Sequence, residues 1–235
     1  HRWVIWAIPL FTIALLTKFQ MIAFAPVLGF LVFRNIPKHL IGILVSVLIG
    51  VAAFLPSIIS GHFIDVFKQA YIDTLGQYPM TTLNAANLWI LLTGNVTPDH
   101  VMLFGVDKDS AFGWIFIAKH FGMLLFSCLA LTIFLVGMNT LYRQKSLSSQ
   151  VQLTQFSLFC ATLCAFGFFI LLPAMHERYL FPATVMAMAL WACSAKMAVY
   201  AVILSIACAL NMLIILEING SNIWNGLAAI TVVLF

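Results

Sequence analysis

The chain has 235 residues, of which 63% are hydrophobic and 8% charged, with a formal net charge of +4 and a mean hydropathy of +1.09. Soluble domains carry roughly a quarter charged residues, so this composition excludes an ordinary water-soluble fold. The basic residues stand at the ends of apolar runs rather than in a patch, which sets nucleic acid aside.

Apolar runs recur at lengths near the roughly 20 residues that cross a bilayer as a helix, and none alternates every second residue as a barrel strand would. The pattern predicts an all-α, polytopic transmembrane helical bundle. Three parts follow in order: membrane helices over 1–59, a long extracytoplasmic loop over 60–113, and membrane helices again over 114–235. His1 is not an initiator Met, and the last run, Ile223 to Phe235, is shorter than a span. Both ends are therefore expected to be cut from a longer protein.

Trp3 to Phe33 is too long for one span and too short for two. Lys18 and Gln20 lie near its middle, Pro9 and Pro26 flank them, and both ends are basic. A broken hairpin of two short helices accounts for this, because irregular backbone at membrane depth is tolerated where it lines a protein-walled cavity. A single tilted helix with Lys18 snorkelling is the alternative. The next span expected is Leu40 to Ile59.

In the long loop, HFIDVFKQAYIDTL sets Phe63, Val66, Phe67, Ala70, Tyr71 and Thr74 on one helical face and Asp65, Lys68, Gln69 and Asp73 on another. This is the pattern of an interfacial helix with its apolar face on the membrane. Pro79 then breaks the helix. Thr81, Thr82, Asn84 and Asn87 supply donors and acceptors ahead of the apolar LWILL, with Tyr78 and Trp89 suited to the interface. The remaining expected spans are Trp114 to Gly137, Gln152 to Leu172, Tyr179 to Cys193 and Met197 to Leu216. All five cysteines fall in apolar runs without ligand spacing, and read as small core residues rather than a metal site.

Charge sorts the connections. Arg34 to His39, Tyr142 to Gln150 and the turn at Lys196 are basic and hold no acid. All seven acids lie in the alternating set: Ser60 to Gly113, the turn PAMHERY, and Glu217 to Asn222. Positive-inside bias puts the acidic set, including PAMHERY, on the extracytoplasmic side. The sequons at Asn95 and Asn219 fall on that side too, and matter only in a eukaryotic secretory compartment.

Ionisable groups at membrane depth are functional candidates by default. Three outward polar groups qualify: Lys18 with Gln20, the Gln77 to Asn87 segment, and His176, Glu177, Arg178 and Tyr179. Arg178 offers a fork of donors suited to phosphate, Lys18 a compact charge and His176 a titratable donor, while Asn and Gln amides suit sugar hydroxyls. The bland alternative is that Arg178 and Lys18 snorkel to lipid phosphate while Glu177 pairs with Arg178 as an ordinary boundary ion pair.

ALLTKFQMIAFAPVLGFLVF resembles the helix-break segment of the C-type (GT-C) membrane glycosyltransferases, with Lys18, Gln20 and Pro26 in the matching places. LNAANLWIL is similar to the Asn-x-x-Asn-φ-Trp stretch, and MHERYLFPA to the outward His-Glu-Arg/Lys motif, of their dolichyl-phosphate-glucose-dependent and bacterial mannosyltransferase-like members. The resemblance implies transfer of a hexose, mannose or glucose, from a polyprenyl- or dolichyl-phosphate donor to a lipid-linked or protein acceptor, with no cofactor. His176, Glu177, Arg178, Tyr179, Lys18, Gln20, Asn84 and Asn87 would bind the donor phosphate and substrate. The family's catalytic acid lies in an N-terminal half that this chain lacks, so no residue here is assigned as catalytic. The implied location is a bacterial inner membrane, or alternatively the endoplasmic reticulum, with the active side extracytoplasmic. A secondary transporter with an outward-open polar cavity is the main rival, since it too would use broken helices and buried charge. A structural subunit of a membrane complex is a third reading.

Overall fold

A computed structural model describes residues 2–73, 78–143, 150–217 and 221–235, and the fold is mainly helical. In chain order it contains α1 (Arg2–Thr17), α2 (Ala25–Phe33), α3 (Ile36–Ile59), α4 (Phe63–Phe67), β1 (Thr82–Leu83), α5 (Leu88–Thr93), α6 (Ala118–Arg143), α7 (Gln150–Leu171), β2 (Met175–His176), α8 (Phe181–Cys193), α9 (Ala198–Glu217) and α10 (Ser221–Leu234). The chain forms two compact units. Unit 1 comprises His1–Tyr78 and Phe134–Lys145; unit 2 comprises Pro79–Ile133 and Ser146–Phe235. Helix α6 contributes a part to each. Thr74, Gln77, Lys145 and the Asn219 sequon lie outside the described residues.

Four described helices are long and apolar enough to cross a membrane: Ile36–Ile59, Ala118–Arg143, Val151–Leu171 and Ala195–Leu213. At 1.5 Å per residue they measure about 29–39 Å, which matches a hydrocarbon core of about 30 Å. Their surfaces agree with a lipid solvent. Ile41, Leu44, Val47, Leu48 and Val51 on α3 are all exposed, a continuous apolar face that water would not tolerate on an isolated protein. Several helix hydroxyls are satisfied locally, as lipid favours: Thr12 donates to the Ile8 carbonyl, Thr132 to Cys128, Thr162 to Leu158 and Ser205 to Ala201.

The expected span at Tyr179 to Cys193 needs correction. Only Phe181–Cys193 is α-helical, and residues Glu177–Leu180 wind as a 3₁₀ turn. Thirteen residues reach about 20 Å, short of a bilayer crossing. The terminal α10 is also short, at 14 residues. The span expected at Trp114 to Gly137 starts later: Gly113–Phe116 is a 3₁₀ turn, and α6 begins at Ala118.

In unit 1 the first apolar stretch is not one continuous helix. Helix α1 ends at Thr17, Lys18 is extended (φ −151°, ψ 113°), Phe19–Phe24 is 3₁₀, and α2 restarts with Pro26 in its first turn. Proline is suited to that position because its missing N–H has no helical partner there. Helix α1 packs along α3. The expected surface helix is present as α4 followed by a π-helical turn, Lys68–Ile72. Its stripe of Phe63, Phe67 and Tyr71 stacks against Phe54 of α3, and Tyr71 also meets Phe19 just after the break. The stripe thus packs on its own unit, although Phe63 and Phe67 remain partly exposed, and Ile64 and Ile72 more so.

Unit 2 is centred on α7, 56% of whose apolar window is buried, against 6% for α3. Helix α8 packs on α7 and α9, and α10 packs on α5 and α9. Cys160, Cys164 and Cys208 are buried as expected of core residues, whereas Cys128 and Cys193 are exposed. Trp89 departs from the interfacial expectation. It is fully buried and packs with Leu103 and Ala118.

Candidate functional site

Two of the three polar groups read from the sequence meet in unit 2. The short strand β1 pairs in parallel with β2, with Thr82 opposite Met175 and Leu83 opposite His176. The Ala174 amide reaches the carbonyls of Met80 and Thr81, both at 3.0 Å. On its other edge the same stretch pairs with 96–98: Thr81 N donates to Thr97 O, Val96 N to Thr82 O, and Met80 bridges Pro98 antiparallel. The TTLNAAN segment therefore lies between the 95–99 stretch and the HERY turn, tied to each by backbone.

The loop that follows β1 is held by polar groups drawn from distant helices. Thr82 Oγ1 donates to Ala85 O (2.9 Å) and accepts from Ala85 N. Asn211 of α9 accepts from Ala86 N (2.9 Å) and donates to Glu177 O (2.8 Å), so one buried amide links the loop to the HERY turn. Thr231 of α10 donates to Ala86 O at 2.6 Å. Ala85 and Ala86 are fully buried, and their small side chains let the backbone come this close to α9 and α10. Neither Asn211 nor Thr231 was singled out by sequence reasoning. Asn211 was detectable as a lone amide within ALNMLIIL, since a polar side chain in a spanning helix needs a partner.

Asn87 is fully buried. Its carbonyl caps α5 by accepting from Trp89 N (3.1 Å), and its amide donates to Phe169 O (3.1 Å). The Trp89 indole donates to Leu171 O (3.0 Å) two residues further along α7. Asn84 is partly exposed at φ +56°, a left-handed conformation that Asn tolerates. It exchanges two hydrogen bonds with Asn95: Asn84 N donates to Asn95 Oδ1 (3.1 Å), and Asn95 Nδ2 donates to Asn84 Oδ1 (2.7 Å).

In the HERY turn, His176 and Arg178 flank the carboxylate of Glu177. His176 Nδ1 lies 3.8 Å from Oε2, and Arg178 Nη1 3.9 Å from Oε1. Both separations are longer than a hydrogen bond, so Glu177 attracts the Arg178 guanidinium coulombically, and His176 as an ion only when the imidazole is protonated. The side chains of His176 and Glu177 are 16% and 18% exposed, whereas that of Arg178 is 58% exposed. Tyr179 closes the cluster, edge-on to the His176 ring and beneath the Arg178 guanidinium at 5.8 Å. With His176 neutral the cluster carries no net charge. An anion would thus be held by the directional N–H groups of Arg178 and by the positive end of α8, which starts three residues later.

Lys18 and Gln20 belong to unit 1, at its helix break. Lys18 is exposed, its amide donating to Ala14 O and its carbonyl accepting from Met21 N; Gln20 is half-buried in the 3₁₀ turn. Of the acids in the long loop, Asp65 pairs with His62 on the open surface. Asp99 instead is buried, its carboxylate 3.7 Å from Lys119 at the start of α6. Among the described residues, no three His, Cys, Asp or Glu side chains group as metal ligands. Comparison of the chain with family models, curated proteins and solved structures finds no match.

Proposed function

We propose that this chain is the C-terminal part of a GT-C-type membrane glycosyltransferase, transferring a hexose from a polyprenyl-phosphate donor to a lipid-linked or protein acceptor on the extracytoplasmic face. The observation that carries the reading is the HERY turn. Its guanidinium is exposed on a backbone fixed by β pairing and by Asn211, next to the N-terminus of α8. Such an arrangement suits the phosphate oxygens of a lipid donor, because its donors are aimed before the ligand arrives. Arg178 and His176 contact the donor phosphate in this scheme, Glu177 and Tyr179 orient them, and Asn84 offers an amide at the loop's exposed edge. Asn87 acts by fixing the loop. Lys18 and Gln20 contribute their polar groups within unit 1, where the interrupted α1–α2 segment forms the membrane hairpin. No residue of this chain is assigned as the catalytic acid.

The test is sugar transfer by the full-length protein from a polyprenyl-phosphate hexose to candidate acceptors, comparing wild type with Arg178→Ala and His176→Ala. Loss of transfer in the variants with normal folding supports the assignment, and equal transfer by all three overturns it. The helix break at Lys18 equally favours a transporter, whose half-helices would face a substrate site. Uptake of a solute into proteoliposomes without any sugar transfer would select that reading.

A further inference from the structure

The loop between α5 and α6 is folded in a way that its role as a connector does not require. Its ends are closed by Leu103 N donating to Phe116 O (2.9 Å), Ala118 N to Val101 O (3.0 Å), and an antiparallel bridge between Met102 and Ile117. Within it, Ser110 N and Oγ both donate to Asp107 O, and Gly113 N donates to Ser110 O. A side chain at Gly113 would run into the carbonyls of Asp107 and Lys108, so the turn is built around glycine.

This ordered loop holds large apolar rings outward. Phe104 is 67% exposed, Phe112 68% and Trp114 58%. Two of them are held by other rings: Phe104 meets Phe116 and Phe121 edge-on, and Trp114 meets His120. A folded loop that keeps three such rings uncovered marks a contact surface. Its occupant follows from what adjoins it. The rings stand at the start of α6, whose exposed Leu124 and Leu131 continue the same apolar surface along a helix long enough to cross a bilayer. The charges Asp107, Lys108 and Asp109 are gathered at the loop's tip, between the rings in sequence. Aromatic rings at the end of a spanning helix, with charged residues in the same turn, are suited to the headgroup layer, where an amphipathic indole is most stable.

We propose that 102–117 is an interfacial anchor that seats Phe104, Phe112 and Trp114 among lipid headgroups. Leu103 inside the loop packs with Trp89 and Ala118, and the Trp89 indole is bonded to Leu171 O, close before the HERY turn. The anchor therefore sets the depth of that turn, and with it the level at which Arg178 meets lipid phosphate; this last clause alone rests on the proposed function.

The experiment uses the full-length protein labelled with 5-fluorotryptophan in phosphatidylcholine nanodiscs, with the Trp114 resonance assigned by its loss in Trp114→Phe. Lipid carrying a nitroxide near the glycerol is expected to broaden Trp114 several-fold more than a water-soluble gadolinium chelate does. The reverse ranking overturns the proposal, and so does protection from both reagents, which would mean that protein covers the ring. As an independent measurement, F112C is expected to react with an impermeant maleimide at least tenfold more slowly than S110C at the loop tip; equal rates count against the anchor. Neither measurement contains a sugar donor, so its outcome is separate from that of the transfer assay.

Discussion

Asn211→Leu isolates the polar joint on which the candidate site rests. The substitution nearly conserves volume, so it removes hydrogen bonds without opening a large cavity. Two backbone groups then lose their partners: Ala86 N, now 2.9 Å from Asn211 Oδ1, and Glu177 O, 2.8 Å from its amide. Leaving a buried donor or acceptor unsatisfied costs about 1–3 kcal/mol each, hence about 2–6 kcal/mol in all. Side-chain hydrogen bonds between membrane helices average only about 0.6 kcal/mol, because their partners find substitutes. Here Ala85 and Ala86 are sealed from solvent, and the larger figure should apply. Hydrogen exchange at Ala86 in detergent or nanodiscs reads the effect locally: an opening cost reduced by 1–3 kcal/mol speeds exchange about 5- to 150-fold, and neighbouring amides in α7 should not change. Exchange at Ala86 equal to wild type would refute the claim that Asn211 holds the loop.

Three further outcomes are expected. Gly122→Ala should destabilise the protein by about 1–3 kcal/mol despite alanine's better helix propensity, because the new methyl would lie 2.6 Å from Leu171 O and from the Trp89 ring. Gly50→Ala on α3, where nothing lies within 4 Å, should be neutral or stabilising, and thermal unfolding of the pair checks the contrast. Lys119→Met should lower the thermal midpoint by removing the countercharge of the nearly buried Asp99 carboxylate. Adding Asp99→Asn to that variant should recover much of the loss, and failure to recover would show that the charge was not the cause.

Helix positions were legible in the sequence because the apolar runs are long and their boundaries carry Lys, Arg or Pro, as at α3 and α7. The break at Lys18 was legible for the same reason, a cation inside an apolar run. Length misled at α8, where the span was expected to begin at Tyr179 but Tyr179 and Leu180 belong to the 3₁₀ turn Glu177–Leu180. Trp89 misled because an aromatic residue beside a polar loop reads equally as interface or core, and only the reach of its indole to Leu171 O separates the two. The joining of the NAAN loop to HERY was not legible. It depends on Asn211, 125 residues away from Ala86, and on two-residue strands too short to leave a period in the sequence.

The central claim is that the HERY turn holds a lipid phosphate, and the affinity of the full-length protein for a polyprenyl-phosphate hexose tests it most directly. Hydrogen bonds to a charged group contribute about 1.5–3 kcal/mol, so Arg178→Ala should weaken binding about 10- to 150-fold, with Arg178→Lys intermediate because it keeps the charge and loses the fork. Equal affinity in wild type and Arg178→Ala, or no donor binding by wild type, would contradict the account.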